Sequence, residues 1–189
     1  RTGLQAVRVH GGPAGKRVLC RPTDQPAAPE QALEVDEILV AVGRRAHLQG
    51  LGLETLGVAT EQGRIRVDAR MRTSVRSIYA CGDAVGPYQF THMANQQARV
   101  VIQNALLPFK TRMDYRVVPW CTFTYPELAR VGLSEEEARE RGVPVRAIRI
   151  AYGDLDRAVR DGETEGFLKI LTPPGRDVFL GATVVVAHA

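Results

Sequence analysis

The sequence predicts an α/β fold that passes, near residue 111, into an α+β unit. Three observations carry this. Two apolar runs, Glu37–Val42 and Ser77–Cys81, each stop at a glycine, as buried strands do at the edge of an open sheet. Thr91–Leu107 has neither Gly nor Pro and is rich in Ala, Gln, Arg and Val, the make-up of a helix. Beyond residue 116, β-branched and aromatic stretches recur around one well-marked helix, the pattern of strands packed by helix on one side.

In chain order, Leu4–His10 alternates apolar and polar residues, Gly11, Gly12, Pro13 and Gly15 supply turn chemistry, and Arg17–Cys20 resumes extended structure. Together they predict a hairpin. Arg21–Gln31 is rich in Pro, Ala and Gln and reads as a loop. Glu37–Val42 is expected to be a buried, parallel strand ending at Gly43. Leu48–Val58 mixes Leu and Gly too densely for a long helix and predicts short turns. Arg64–Met71 alternates as a strand, and Ser77–Cys81 is a second buried strand. The loop Ala84–Gln89 leads into the helix Thr91–Leu107, with Thr91 as N-cap and Pro108 as its stop. The texture changes across Phe109–Arg116, where a domain boundary is expected. Val117–Thr124 is rich in β-branched and aromatic residues. Ser134 and Glu137 make an S-x-x-E capping box for a helix over Leu133–Arg141, which Gly142 ends. Strands at Val145–Tyr152, Gly166–Leu171 and Val178–Val186 follow, the last two joined through Pro173-Pro174-Gly175.

Composition narrows the function classes. With 189 residues, 44% hydrophobic and 24% charged, the chain can bury a core without disulfide or metal staples, and it is neither disordered nor fibrous. The net charge of +4 is not gathered into a basic stripe, since Arg and Glu alternate through Glu127–Arg141; no nucleic-acid partner is expected. Cys20, Cys81 and Cys121 are odd in number and far apart, so no disulfide framework or CxxC motif can be written, and a cytoplasmic setting fits. No apolar run has the length of a membrane span, so no membrane is expected. The opening at Arg1, in mid-phrase and without methionine, is what a piece of a longer protein would show.

The strongest functional signal is Thr73-Ser74-Val75-Arg76-Ser77-Ile78-Tyr79-Ala80-Cys81-Gly82-Asp83. It delivers a glycine and then a carboxylate to the carboxyl edge of a sheet, where ligands of open α/β sheets bind. Gly82 lets a ligand approach the backbone, and Asp83 offers an acceptor to hydroxyls. Taken alone, a strand ending in Gly-Asp is as often a plain turn. The stretch resembles the second FAD-binding motif, T-x-x-x-x-I-[FY]-A-x-G-D, of the pyridine nucleotide-disulfide oxidoreductases, which include dihydrolipoamide dehydrogenase, glutathione reductase and mercuric reductase. The resemblance implies that Asp83 hydrogen-bonds the ribityl chain of FAD, and that Phe90, Thr91 and His92 lie under the flavin at the start of a helix. Gly82, Asp83, Phe90, Thr91 and His92 are therefore expected to line one concave surface. The usual proline of the motif is Arg76 here.

Two further stretches extend the resemblance over nearly the whole chain. Val40-Ala41-Val42-Gly43-Arg44-Arg45-Ala46-His47 is similar to the family's A-[TV]-G-R-x-P-N, in which the glycine matching Gly43 contacts the nicotinamide cofactor; Ala46-His47 replaces its P-N. Val118–Ser134 resembles the opening of the family's dimerisation domain, x-P-x-x-x-F-T-x-P-E-x-A-x-V-G-L-[ST]. Gln89–Ala94 and Val118-Pro119-Trp120 read closest to the mercuric-reductase-like branch. The resemblance implies the tail of an NAD(P)-binding domain at 1–45, the second part of an FAD domain at 46–110 and an incomplete dimerisation domain at 111–189. The implied cofactors are FAD and NAD(P)H, the partners a second copy in a homodimer and a small-molecule or disulfide acceptor.

The family's chemical machinery is not in this stretch of sequence. Neither the flavin-adjacent C-x4-C nor a G-x-G-x-x-G loop can be drawn, so no catalytic residue is assigned and the chain alone is expected to be inactive. His188 matches an earlier position than the family's acid/base His-Glu pair. His10 and His47 read as solvated, Cys20 and Cys121 as strand packing. Asp154, Asp156, Asp161, Glu163 and Glu165 meet no metal-ligand spacing and read as a solvated turn. The rival reading is a non-catalytic assembly module in which the Gly-Asp element has become structural.

Overall fold

The expected hairpin forms around the pairing of β1 (Leu4–Gly12) with β2 (Gly15–Pro22), and β3 (Gln31–Val35) joins β2 from the other side, giving an antiparallel sheet in the order β1-β2-β3. A computed structural model describes residues 2–12 and 15–189, so Pro13 of the expected turn lies outside the described residues. Arg17 and Glu34 stand opposite each other in β2 and β3 and form an ion pair at 2.6 Å. This sheet belongs to the first of two compact units, Arg1–Arg45 and Ala46–Ala189.

Glu37–Val42 corrects the sequence reading, since it forms no strand. An apolar run becomes a strand only when a neighbour offers a hydrogen-bonding ladder, and no described strand pairs with it. Leu39, Val40 and Val42 consequently stand 91%, 74% and 91% exposed.

In the second unit, β4 (Thr60–Glu61) and β5 (Arg64–Ile65) make a minimal hairpin. Gln62 and Gly63, at φ 51° and 72°, both take the left-handed backbone of a tight two-residue turn. The predicted strand over Arg64–Met71 is thus cut to its first two residues. At Asp68 the carboxylate accepts the N–H groups of Arg70 (2.8 Å) and Arg72 (3.0 Å), which bends the chain away.

Ser77–Cys81 is likewise reduced to one bridge, Arg72 with Tyr79. Thr73 Oγ1 accepts from the Val75 N–H at 3.1 Å, and Ile78 N donates to Val75 O at 2.9 Å. That local turn uses the backbone groups a strand would need. The side chains still pack inward: Val75, Ile78 and Ala80 lie against the buried cluster of Leu53, Val58 and Ile65.

The one long helix, α1 (Thr91–Leu106), buries Met93, Gln97, Val100 and Asn104, a single stripe at helical spacing. Its N-cap is Phe90, not Thr91: Phe90 is extended (φ −116°, ψ 143°), and its carbonyl accepts the Ala94 N–H at 3.0 Å. Leu107 returns to extended backbone, as the residue before Pro108 must. Met93 and Val100 join Met71, Met113 and Val118 in a second buried cluster.

A five-stranded antiparallel sheet completes the unit. It comprises β6 (Trp120–Thr122), β7 (Glu127–Gly132), β8 (Arg146–Ala151), β9 (Phe167–Thr172) and β10 (Gly181–Val186), in the order β6-β7-β10-β9-β8. Between β7 and β8 lies α2 (Glu135–Glu140), shorter than Leu133–Arg141 but carrying the full expected capping box of Ser134 and Glu137. Arg130 of β7 ion-pairs with Glu137 and ties the helix to the sheet. The acidic stretch read as a solvated turn instead folds as a 3-10 turn, Tyr152–Asp154, and a short helix, α3 (Asp156–Asp161), that buries Ala158. Gly132 pairs with Gly181 where β7 meets β10; it sits at φ 70°, and a Cβ there would strike the Leu180 carbonyl.

Candidate functional site

Gly82 and Asp83 form a 3-10 turn, Gly82–Ala84, that packs against the first turns of α1. Gly82 needs its φ of 74°, which side-chain-bearing residues rarely adopt, and a Cβ on it would rest 3.5 Å from Ala94 Cβ. Its N–H donates to Oε1 of Gln97 at 2.6 Å. Asp83 is half-buried within this turn.

Phe90, Thr91 and His92 sit at the start of α1. No side chain caps this helix end, and no acidic residue lies in its first turn. Its first N–H groups therefore carry the positive end of the helix dipole without a side-chain cap or an acidic residue of the helix's own first turn. Thr91 and His92 are exposed. The rings of Phe90 and His92 stack with centroids 5.3 Å apart and planes 9° from parallel, and Tyr88 continues the series at 6.3 Å from Phe90. This flat, partly polar face and the uncapped helix end suit a planar heteroaromatic group with acceptor oxygens.

Phe90, Thr91 and His92 open onto a cleft of 640 Å³ whose far side is built by Trp120, Cys121, Arg130 and Val184 of the sheet. Arg130 lies with its guanidinium 6.0 Å from the Trp120 ring centre. Burial, and then the nearby Glu127 charge, raise the pKa of the Cys121 thiol, which keeps it protonated rather than nucleophilic. Gly82 and Asp83 are not among the residues that line this cleft. Their turn docks farther along the helix, at Ala94 and Gln97, whereas the cleft begins at the helix's first residues.

Gly43 belongs to the first unit, exposed, at φ 112° and with nothing within 4 Å of where a Cβ would stand. His10, His47 and His188 are exposed, and Cys20 is buried in β2. Among the described residues, no group of three or more His, Cys, Asp or Glu side chains could hold a metal ion, and no helix is long and apolar enough to cross a membrane.

Sequence reasoning missed Gln97 and Tyr115. Gln97 is fully buried; besides accepting from Gly82, it donates from Nε2 to the Tyr115 hydroxyl at 3.0 Å, and that hydroxyl lies 3.8 Å from Met71 Sδ. The signal was present as a polar residue in the buried stripe of α1, one turn after Met93.

The chain matches two family models, "Pyridine nucleotide-disulphide oxidoreductase" over residues 8–98 and the dimerisation domain of the same family over residues 118–189. Dihydrolipoyl dehydrogenase of Chlamydia muridarum is 40% identical over 157 residues, covering 82% of this chain and 34% of the relative. That of Thermus scotoductus is 39% identical over 190 residues, covering all of this chain and 40% of the relative. Among solved structures, LpdA from Mycobacterium tuberculosis superposes with a TM-score of 0.84 at 29% identity, over 97% of this chain and 39% of that one. The HOCl-induced flavoprotein disulfide reductase RclA from Escherichia coli gives 0.81 at 29% identity, over 96% and 40%. The chain thus spans well under half the length of each.

Proposed function

Because the chain belongs to the pyridine nucleotide-disulphide oxidoreductase family, we propose that it forms one wall of an FAD site and most of a dimerisation domain. The whole enzyme passes hydride from NAD(P)H through FAD to a disulfide or a related acceptor. When bound, FAD supplies the electron-transfer chemistry, and the protein supplies binding, orientation and electrostatics.

In this reading the chain divides as 1–45, 46–110 and 111–189 into NAD(P)-domain tail, FAD-domain part and dimerisation domain. Asp83 accepts hydrogen bonds from ribityl hydroxyls, and Gly82 keeps the backbone low enough for their approach. Phe90, Thr91 and His92 present a flat surface and an uncapped helix end that favours an electron-rich acceptor edge by about 0.3–1 kcal/mol where exposed. Gly43 leaves its backbone open to the nicotinamide cofactor. A homodimer in the cytoplasm fits the dimerisation domain and the three free cysteines.

The observation that carries the reading is the Gly82–Ala84 turn pinned to α1 beside an uncapped helix start. The rival reading, an assembly module without a flavin, draws on the separation of Gly82 and Asp83 from the cleft. Flavin absorbance of the purified full-length protein decides between them. Asp83→Ala should weaken FAD binding by about ten- to a hundredfold, the worth of charge-assisted hydrogen bonds; unchanged flavin content after gel filtration would remove Asp83 from the site.

A further inference from the structure

Gln97 is an unexpected residue in its place. It lies on the buried stripe of α1 between Met93 and Val100, both 4–5% exposed, and is itself wholly buried. A primary amide there costs stability unless its oxygen and nitrogen are both bonded. Both are. Oε1 faces the Gly82 N–H, which can only donate, so the amide has a single admissible orientation and Nε2 must point at Tyr115.

Tyr115 is in turn held from two directions. Its ring packs against Tyr88 at 5.8 Å, which continues through Phe90 to His92, and its hydroxyl lies at Met71 Sδ. The amide therefore bridges two parts of the site that the cleft does not join: the Gly82–Asp83 turn on one side and the aromatic series ending at the start of α1 on the other. A leucine would fill the same space and leave the Gly82 N–H without a partner, freeing the turn to move.

We propose that Gln97 is a positioning residue for the flavin site, fixing the Gly82–Asp83 turn relative to Phe90, Thr91 and His92 through the Gly82–Gln97–Tyr115 chain. The proposal rests on the FAD-site reading above. Gln97 is fully buried beneath the turn and acts by setting where the Asp83 carboxylate stands.

The test uses full-length apoprotein carrying Gln97→Leu, Gln97→Glu, Tyr115→Phe or Asp83→Ala, titrated with FAD by flavin fluorescence, alongside hydrogen-exchange mass spectrometry of the peptide containing Gly82 without FAD. Gln97→Leu is expected to weaken FAD about tenfold, the order of one orphaned buried donor, and to speed exchange at Gly82. Gln97→Glu, which a fully buried site holds protonated, keeps an acceptor for the Gly82 N–H and donates its O–H to the Tyr115 hydroxyl in place of the amide N–H, so affinity should return to within about threefold of wild type. A residue that merely filled space would give the opposite order, with Leu tolerated and Glu not. Wild-type affinity in Gln97→Leu, or equal losses in the Leu and Glu variants, would overturn the proposal. Should Gln97→Leu fail to fold, Tyr115→Phe carries the decision: faster Gly82 exchange with weaker FAD binding supports it, and no change in either overturns it. Unchanged affinity in Asp83→Ala sinks the FAD-site reading instead, while the exchange measurement still reports on the Gln97 bond.

Discussion

Replacing Asn104 with Leu should destabilise the second unit more than any surface substitution. Asn104 is 1% exposed near the end of α1, and its side chain makes three hydrogen bonds at once. Nδ2 donates to the carbonyls of Arg70 and Thr111, both at 2.9 Å, and Oδ1 accepts from Thr111 N at 2.8 Å. Leucine has nearly the same shape but removes all three, leaving one N–H and two carbonyls of fixed loops unsatisfied. At about 1 kcal/mol net per bond, the loss is about 3 kcal/mol. For a chain of this size that corresponds to a fall of roughly 6–12 °C in Tm, read by circular dichroism during heating. The Asn104 carbonyl accepts from Tyr79 Oη at 3.1 Å and from Lys110 Nζ at 2.7 Å. Those backbone bonds survive the substitution, so the change isolates the side-chain amide. Asn104→Asp adds a check of sign. Its carboxylate would face two carbonyl oxygens, which raises the folded-state pKa above the unfolded value of about 3.9, so its instability should grow as pH rises from there. A Tm for Asn104→Leu within about 2 °C of wild type would refute the assignment of a structural role to these bonds.

The capping box gives a second pH-dependent expectation. Glu137 has its pKa lowered chiefly by accepting the Ser134 N–H, with the Arg130 charge adding to this and burial opposing it. Its folded pKa lies below the unfolded one, so its contribution is present above the unfolded value of about 4.3 and is lost as pH falls through the folded value. Wild type and Glu137→Gln should therefore differ in urea midpoint at neutral pH and converge in acid; a constant gap would show that charge is not the cause. Ser134→Ala should cost about 1 kcal/mol through the lost cap, measured in the same urea titrations. Gly132→Ala combines a φ of 70° with a collision against the Leu180 carbonyl; it should lower stability by at least about 2 kcal/mol, and a neutral urea midpoint would contradict the β7–β10 register.

The helices α1 and α2 and the strands β8, β9 and β10 were legible in sequence because their signals are local, whereas β7 and α3 were not read. Ser134 and Glu137 mark the start of α2 whatever lies around them, and Gly and Pro are missing from Thr91–Leu107. The strands over residues 37–42 and 77–81 were misread for a shared reason: apolar composition does not supply a pairing partner. Ile78 and Ala80 are packed against Leu53, Val58 and Ile65 with only a short pairing to residues 71–73, and Leu39, Val40 and Val42 are exposed with no described strand paired to them. The N-cap was misplaced by one residue because Thr91 has the right side chain, whereas the backbone turns into the helix after Phe90. For the site, the motif residues were legible and their arrangement was not. Nothing local announces that Gly82 docks on Gln97, fifteen residues onward, or that the cleft takes its other side from β6, β7 and β10.

The two polar residues missed on the buried stripe of α1 act as a pair. Gln97 reaches Tyr115 and Asn104 reaches Thr111, so the segment after the helix runs back along it, with its later residue fixed near the middle of the helix and its earlier residue near the end. The attachments are seven residues apart on the helix, about 10 Å along its axis at 1.5 Å per residue. An apolar stripe could slide against this segment at small cost, because hydrophobic contact has little directionality. Two amides cannot: moving the segment by a single residue would break the bonds of both Gln97 and Asn104 and leave buried donors and acceptors at each end. The same amides also hold Gly82 and the Arg70 carbonyl. The turn that carries Asp83 and the stretch that leads into the five-stranded sheet are therefore indexed to one helix. In a double-mutant cycle, Gln97→Leu and Tyr115→Phe should be strongly non-additive in stability, since each removes the same bond, while Gln97→Leu and Tyr79→Phe, which lies on the separate Asn104 carbonyl, should add. Additivity in the first pair would mean that the Gln97–Tyr115 contact carries no energy and that the segment finds its register by packing alone.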